Sequence, residues 1–497
     1  MHVLVTGGTG LVGKSAVDHL LARGHTVRLF AIDATDVAAE WPEGVEPRDG
    51  DVGSDESVQG VARGCDAVLH VIGIVAEDPP KLTFDAINVE GTRRLVQEAE
   101  AAGVQRFVYV SSLGADTGES DYHRSKRAGE EIARQFRGSW TICRPGNVYG
   151  PGDEVISLML KIIRASPVIP VMGDGEQEFQ PIWVEDLGEA LAVAVEREDL
   201  GGQLLELAGA ERTTTNDLVD RFSEITGTSP RRLPIPEWLA GAGAKTAEAL
   251  GGSLPIKADQ ITMLQEGNVI SGQNALTEVL GVTPTPLADG LRKLADDLPE
   301  MLLSEGVGRL HRERFWADIR GSRLTPEEIL LQVRTHFRAL PPEELLEVGA
   351  EPQTPTTLEE GGTLTLAVPM RGHVQVRVQE VTPRAITSVT LEGHFFAGVI
   401  RFLTEEPEPG MIRFEVRAYT RAADQIDRLA IRTVGKVAQQ ETWTTVVEEV
   451  VQRSGGNAPD GVHTDDQVVS EQEAREVEAW SEALVTERKR EEAPTPG

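Results

Sequence analysis

The chain has 497 residues, enough for two to four domains that each bury a core. Hydrophobic residues at 40% and charged residues at 26% exclude wholesale disorder, collagen-like repeats and coiled coil. A formal net charge of −32 argues against nucleic acid or an anionic membrane as the main partner, and two cysteines, Cys65 and Cys143, exclude a disulfide scaffold or thiolate metal cage. No apolar run approaches the roughly 20 residues a membrane span needs. A strand pattern already begins at residue 3, so no signal peptide is expected and a reduced cytoplasm is the default compartment.

The first third alternates strands and helices. VLVTG (3–7) reads as a buried strand and 10–23 as a helix with Val12, Ala16, Leu20 and Leu21 on one face. Strands follow at 25–32, 45–52, 66–75, 106–112 and 140–145, with helices at 55–63, 84–102 and 120–136 between them. Apolar strands alternating with helices of this length mean a doubly wound parallel sheet covered on both faces. From 150 to 298 the pattern is less regular. Helices are expected near 153–165, 185–197, 214–226, 236–250, 257–266, 273–280 and 286–298, with a strand at 203–209, as in a smaller substrate lobe.

After Pro299 the style changes. A helical stretch is expected at 300–314 and another from Pro326 to Phe337. Residues 363–419 then alternate with period two: Val374, Val376 and Val378 oppose Gln375, Arg377 and Gln379, and Ile412, Phe414 and Val416 oppose Arg413, Glu415 and Arg417. These are antiparallel strands with one buried face. A long helix from Ala422 to Arg453, carrying Ile426, Leu429, Val434, Val437, Val447 and Val451, closes an α+β domain over 309–453 able to enclose an apolar cavity. Residues 454–497 are acidic and expected to be largely disordered, a short helix around 470–490 being the one element the pattern allows.

The strongest chemical signal is VTGGTGLVG. Gly7, Gly10 and Gly13 form G-x-x-G-x-x-G between the first strand and the first helix. Glycines there let the backbone turn tightly and approach a pyrophosphate at a positive helix N-terminus, so Gly7, Thr9, Gly10, Leu11, Val12 and Gly13 are candidate dinucleotide contacts. This spacing resembles the short-chain dehydrogenase/reductase superfamily, whose fold is Rossmann-type. Asp51-Val52 matches the pair that contacts adenine, and Asn88 in NVEGT, Ser112, and Tyr122 and Lys126 in YHRSK match the family's active-site residues. RPGNVYGPGD (144–153) and IWVEDLGEA (182–190) resemble the extended branch. Ile72, Gly73 and Pro145 complete the cofactor edge that the resemblance implies.

Tyr and Lys four residues apart share a helix face. By this reading the Lys126 ammonium lowers the Tyr122 pKa so that the phenol can exchange a proton with a carbonyl or hydroxyl, and it also holds the nicotinamide ribose. Ser112 orients the substrate oxygen and Asn88 supports the site. Ser112 and Tyr122 are only ten residues apart, a departure from extended enzymes. With HVIGIVAEDPP (70–80) and QITMLQEGNVIS (260–271), this spacing resembles an atypical branch related to the nucleotide-binding accessory subunit nine of the respiratory complex I alpha subcomplex. Ala31 and Ile32 end the second strand and Asp33 lies just beyond. No base stands there, which leans to NAD over NADP.

The remaining candidates are weaker. His70 reads as a core or cofactor-edge residue, and no metal site is expected. Arg144 is either an anion contact or a structural ion pair. Asp153, Asp174 and Glu185 read as solvated. Residues 309–453, through LEGHFFAGVIRF and RFEVRAYTRAAD, resemble a helix-grip, START-like domain family of unknown function. The resemblances imply an NAD(P)-binding oxidoreductase acting by hydride transfer at a carbonyl or alcohol of an unidentified small molecule. The alternatives are a nucleotide-sugar epimerase or dehydratase, and a non-catalytic nicotinamide-binding module whose C-terminal domain carries a hydrophobic ligand or contacts a partner.

Overall fold

A computed structural model of the chain describes residues 1–236, 268–424 and 436–495. Strands β1 (His2–Thr6), β2 (Thr26–Ala31), β3 (Val45–Asp49), β4 (Ala67–His70), β5 (Arg106–Val110), β6 (Ser139–Pro145) and β7 (Gln203–Leu207) form one sheet in the order β7-β6-β5-β4-β1-β2-β3. Every neighbouring pair is parallel. Helices α1 (Leu11–Ala22), α2 (Thr92–Ala102), α3 (Asp121–Ala133), α4 (Ile156–Ala165) and α5 (Val184–Glu196) follow in the chain. Because side chains alternate along a strand, Val3 and Val5 pack with α1 and α5 while Leu4 packs with α2 and α3. This is the doubly wound sheet the sequence predicts, and it places the ends of β1, β4, β5 and β6 along one edge. A π-helical segment, Asp85–Gly91, leads into α2 where a continuous α-helix is predicted.

The smaller lobe adds α6 (Thr215–Thr226) and α7 (Leu287–Asp296) around a core of Ile156, Leu160, Phe222, Leu291 and Leu294. A parallel ribbon of 168–172 with 231–235 was not legible in the Pro-rich connectors. The helices expected at 236–250 and 257–266, and most of QITMLQEGNVIS, lie outside the described residues.

The C-terminal unit contains β8 (Val307–Arg320), α8 (Pro326–Thr335), β9 (Glu347–Val348), β10 (Thr363–Val368), β11 (Gly372–Val381), β12 (Ala385–Thr390), β13 (Phe396–Glu408), β14 (Met411–Ala422), α9 (Lys436–Ser454), β15 (His463–Val468) and α10 (Glu471–Glu492). Its strands form an antiparallel sheet in the order β9-β10-β11-β12-β13-β14-β8-β15. Phe315, Phe402 and Phe414 pack with Leu330 and Val333 of α8 and Val446 and Val447 of α9 on one face.

Three expectations are corrected here. Residues 307–320 are a strand and not part of a helix. Phe315, Ala317 and Ile319 are buried alternately, and Gly306 lies so close to its neighbours that a Cβ would fall 2.7 Å from that of Arg421. β14 continues to Ala422, so the long helix does not start there; its described part is Lys436–Ser454, and Ile426, Leu429 and Val434, and the side chain of Val437, lie outside the described residues. The tail is ordered: β15 pairs with β8, and α10 lays Ala474, Val477, Trp480 and Val485 over Leu310, Val399 and Tyr419. The helix that the sequence allows around 470–490 through Val477, Trp480 and Leu484 is present as α10, and its apolar stripe covers the second face of the sheet.

That second face also explains why 299–308 is no free linker. Gln375, Arg377 and Gln379, which alternation alone points to solvent, are buried, the first two against the first unit and Gln379 against Glu300 and Arg488 of α10. Gln375 donates to the Ala295 carbonyl at 2.9 Å, and Arg164 of α4 reaches across to Glu351 with two hydrogen bonds of 2.8 and 2.7 Å. Glu300 is met by Arg377 at 2.9 Å, by Lys489 at 3.6 Å and by Arg488. These cations hold the Glu300 carboxyl down at about 2 although burial opposes ionisation. Its stabilising contribution is therefore complete above about pH 4.5 and is lost as pH falls toward 2. Urea unfolding followed from pH 6 to pH 3 should show stability declining below pH 4.5, and Glu300→Gln should flatten that decline.

Candidate active site

Four segments meet at the sheet edge. The turn after β1 comes first. Gly7 adopts φ +71°, and a Cβ there would lie 2.8 Å from Ile72 Cγ1. A Cβ on Gly13 would lie 2.1 Å from the Gly7 carbonyl oxygen, so the first turn of α1 rests on the end of β1. Gly10 is different. It is exposed, and a Cβ there would meet nothing but the Gly7 oxygen at 3.6 Å. The N-terminus of α1, beginning at Leu11 and Val12, faces that same space. Open backbone at a positive helix end is a cradle for a pyrophosphate, so the residues present fit the dinucleotide. Thr9 is half-buried in the same turn. Gly8, which the motif leaves free, is also fixed, since a Cβ would reach 2.1 Å from Leu29 Cδ1.

The second segment follows β4. Asn88 is fully buried and ties this loop to α3: its Oδ1 accepts from the Ile74 amide at 2.9 Å, and its Nδ2 donates to the Ile74 carbonyl at 3.1 Å and to Ser125 Oγ at 2.9 Å. Ser125 donates on to the Tyr122 carbonyl at 2.7 Å. Gly73 stands against Lys126, where a Cβ would come within 3.0 Å of Nζ. Asp51 is exposed beyond β3, and Val52 is buried under Gly91. Pro145 ends β6 and accepts from the Leu113 amide at 2.8 Å.

The third and fourth segments carry the polar triad. The Ser120 hydroxyl caps α3 by accepting from the His123 amide at 3.2 Å. The short loop before it folds into tight turns, with Ala115 donating to the Ser112 carbonyl at 3.1 Å and Gly118 to that of Gly114 at 2.7 Å. The ten-residue spacing therefore brings the Tyr122 phenol back to Ser112, close enough for the hydroxyl to favour the phenolate, while Ser112 Oγ itself donates to the Leu113 carbonyl at 3.2 Å. Burial raises the Tyr122 pKa, where the sequence reading expects Lys126 to lower it. Burial of the phenol outweighs any help from Lys126, whose ammonium gives one of its three N–H groups to the Val110 carbonyl at 2.6 Å and is itself pushed down to about 8 by desolvation.

Arg144 resolves as a structural ion pair. It grips Glu130 at 2.6 and 2.8 Å and Asp116 at 2.8 Å, while Ser111 donates to Glu130 at 2.7 Å. This network anchors the 112–122 loop and was missed, because Ser111, Asp116 and Glu130 belong to no motif. His70 is a core residue between Thr6 at 2.7 Å and Thr92 at 3.0 Å, and burial keeps it neutral, with a pKa of about 3. Asp153, read as solvated, is buried and caps α4 through the amides of Val155, Ile156 and Ser157. Cys65 and Cys143 are buried thiols pushed up to about 11 and about 12, which makes both inert. No helix of the described residues is long and apolar enough to cross a membrane.

Comparison with known proteins fits this geometry. Residues 3–207 match the NAD dependent epimerase/dehydratase family. The chain is 32% identical over 252 residues to a ceramide reductase of Caulobacter vibrioides, covering 50% of this chain and 76% of that protein. It is 33% identical over 265 residues to the sterol demethylase protein B of Methylococcus capsulatus, covering 48% and 78%. The chain belongs to the NAD dependent epimerase/dehydratase family. Within that family it is also similar, at 25% identity over 304 residues, to the mitochondrial NADH dehydrogenase (ubiquinone) 1 alpha subcomplex subunit 9 of Arabidopsis thaliana, covering 57% of this chain and 74% of that one. Residues 332–449 match a domain of unknown function, DUF1990.

The glycines of this family member separate by role. Gly13→Ala should lower stability by about 1–3 kcal/mol through overpacking against Gly7. Gly10→Glu should leave the unfolding transition near wild type while abolishing dinucleotide affinity, read by fluorescence titration with NADH and NADPH.

Proposed function

We propose that the chain is an NAD(P)-dependent oxidoreductase that reduces a carbonyl, or oxidises the matching alcohol, on a small molecule lying between the sheet edge and the 150–298 lobe. The observation that carries this is the burial of Ser112, Tyr122 and Lys126 together at the sheet edge, with Lys126 against Gly73 of the loop beside the glycine cradle. Gly7, Thr9, Gly10, Leu11, Val12 and Gly13 would hold the pyrophosphate, Asp51 and Val52 the adenosine end, and Ile72, Gly73, Lys126 and Pro145 the nicotinamide half. When bound, the dinucleotide supplies or accepts a hydride.

The chain's own residues do the rest. Ser112 orients the substrate oxygen. Tyr122, kept protonated by burial, donates its proton to that oxygen as it gains charge. A phenol whose pKa is raised is protonated at neutral pH, the form that can give its proton to the substrate oxygen during reduction. Asn88 holds the loop after β4 and α3 in register so that Gly73 and Lys126 stay in contact. The names of the ceramide reductase and of a 3-beta-hydroxysteroid dehydrogenase, 29% identical over 231 residues, make apolar ketones and alcohols the first substrates to test. Absence of a base after β2 leans to NAD. A cytoplasmic location, and a helix-grip fold for 309–453, belong to the same proposal. The apolar stripe of that unit is filled by Phe315, Phe402 and Phe414, which supports plain core over a ligand chamber.

A second reading, a nicotinamide-holding module without turnover, is favoured by the burial of Tyr122, which raises its pKa where a catalytic phenol would have it lowered. Tyr122→Phe separates the two. It keeps the ring and should keep NADH and NADPH affinity. Turnover with a panel of apolar ketones should fall about 10²–10⁴-fold. Wild-type protein that binds the dinucleotide but turns over none of the panel, indistinguishable from the Phe variant, would decide for the module.

A further inference from the structure

Lys126 sits on two consecutive residues of β5. Its ammonium donates to the Val110 carbonyl at 2.6 Å and stands 4.8 Å from the centre of the Tyr109 ring, over its face. Toward the sheet edge it abuts Gly73, where a Cβ would lie 3.0 Å from Nζ and would press on the ammonium. The Tyr109 ring is itself fixed. It is fully buried, and its hydroxyl fills the space over Gly129, where a Cβ would fall 2.1 Å from that oxygen. On its other flank it packs 5.6 Å from the His70 ring, which Thr6 and Thr92 hold in place.

We propose that Tyr109 is a positioning residue for Lys126: its aromatic face holds the ammonium charged and in place against the loop after β4. This rests on the reading that Lys126 binds the dinucleotide. A cation over an aromatic face is attracted by the ring quadrupole, most strongly where water is excluded. The groups facing Lys126 leave that role to the ring. From β4, His70 is neutral and brings no competing charge. From its own helix, Glu130 favours the ammonium, but its carboxylate is already committed to Arg144, Arg134 and Ser111. Tyr122, one turn earlier, is a protonated phenol. From the segment before α2, Asn88 is uncharged. Against this, desolvation works to discharge the lysine.

The test varies the ring's charge distribution and little else. Tyr109→Phe keeps the face, and 3,5-difluoro- and pentafluorophenylalanine incorporated at position 109 weaken and then reverse the quadrupole. NADH and NADPH dissociation constants are measured by nicotinamide fluorescence from pH 6 to pH 10, with thermal unfolding as a control. The Phe chain should bind within about twofold of wild type. Affinity at pH 7 should fall stepwise with fluorination, to about tenfold for pentafluorophenylalanine, and the alkaline loss of affinity should move down by about one pH unit. If the pentafluoro chain does not fold, the difluoro step, nearly the volume of Phe, carries the comparison. Lys126→Met is measured alongside. If it binds like wild type, the reading of Lys126 as a dinucleotide contact fails. If it weakens binding while the Phe and fluorinated chains bind alike with one pH midpoint, that reading stands and the role assigned to Tyr109 is overturned.

Discussion

Backbone meets backbone where α1 begins. With the Gly7 oxygen only 2.1 Å from the place a Gly13 Cβ would occupy, the helix has one position available on the end of β1. That contact aims the first free amides of α1 at the open space over Gly10. It also seats Ile72 against Gly7, which fixes the loop after β4. Gly73 in that loop meets Lys126, and Asn88 closes the circuit by joining Ile74 to Ser125. The phosphate cradle and the Tyr122–Ser112 pair are thus set in one frame by a short chain of contacts.

The two units are joined by the opposite kind of interaction. Arg164 with Glu351, and Glu300 with Arg377, Arg488 and Lys489, are charges taken out of water, and each pays for that only in company. Such contacts tolerate little displacement. α4, whose start Asp153 caps beside the sheet edge, is held from the far side by Glu351 and by Glu392, which accepts from Lys161 at 2.7 Å. The same α10 that covers the second sheet reaches back to Glu40, which Lys14 also meets at 2.8 Å, one residue past the glycine turn. The C-terminal unit is therefore part of what shapes the lobe over the site.

Sequence carried most of the first unit because its central strands are apolar runs and the spacing of Gly7, Gly10 and Gly13 marks the turn into α1, although β3, VEPRD, is mostly exposed. Ser112, Tyr122 and Lys126 were named through the family resemblance, and helix spacing by itself says only that Tyr122 and Lys126 share a face. What local pattern could not show was partnership at a distance. Arg144 was undecided because Glu130 and Asp116 lie 14 and 28 residues away. Residues 307–314 looked helical because their alternation only becomes evident once Phe315, Ala317 and Ile319 are added to them. Gln375, Arg377 and Gln379 were read as a solvated face, since alternation reports polarity and not whether another domain covers it. In the tail, the apolar spacing of Val477, Trp480 and Leu484 allows the helix that is found, whereas the strand at His463–Val468 is too polar to be read without its partner β8. Tyr109 drew no attention, being one apolar-strand residue among many until Lys126 is seen above it.

The central claim is that the glycine cradle, the loop after β4 and Lys126 together form one dinucleotide site. Native mass spectrometry of the full chain titrated with NADH and with NADPH tests it most directly. The account predicts a mass increment of one dinucleotide per chain, saturating at one, from at least one of the two cofactors. A chain that stays folded and unliganded with both would contradict it.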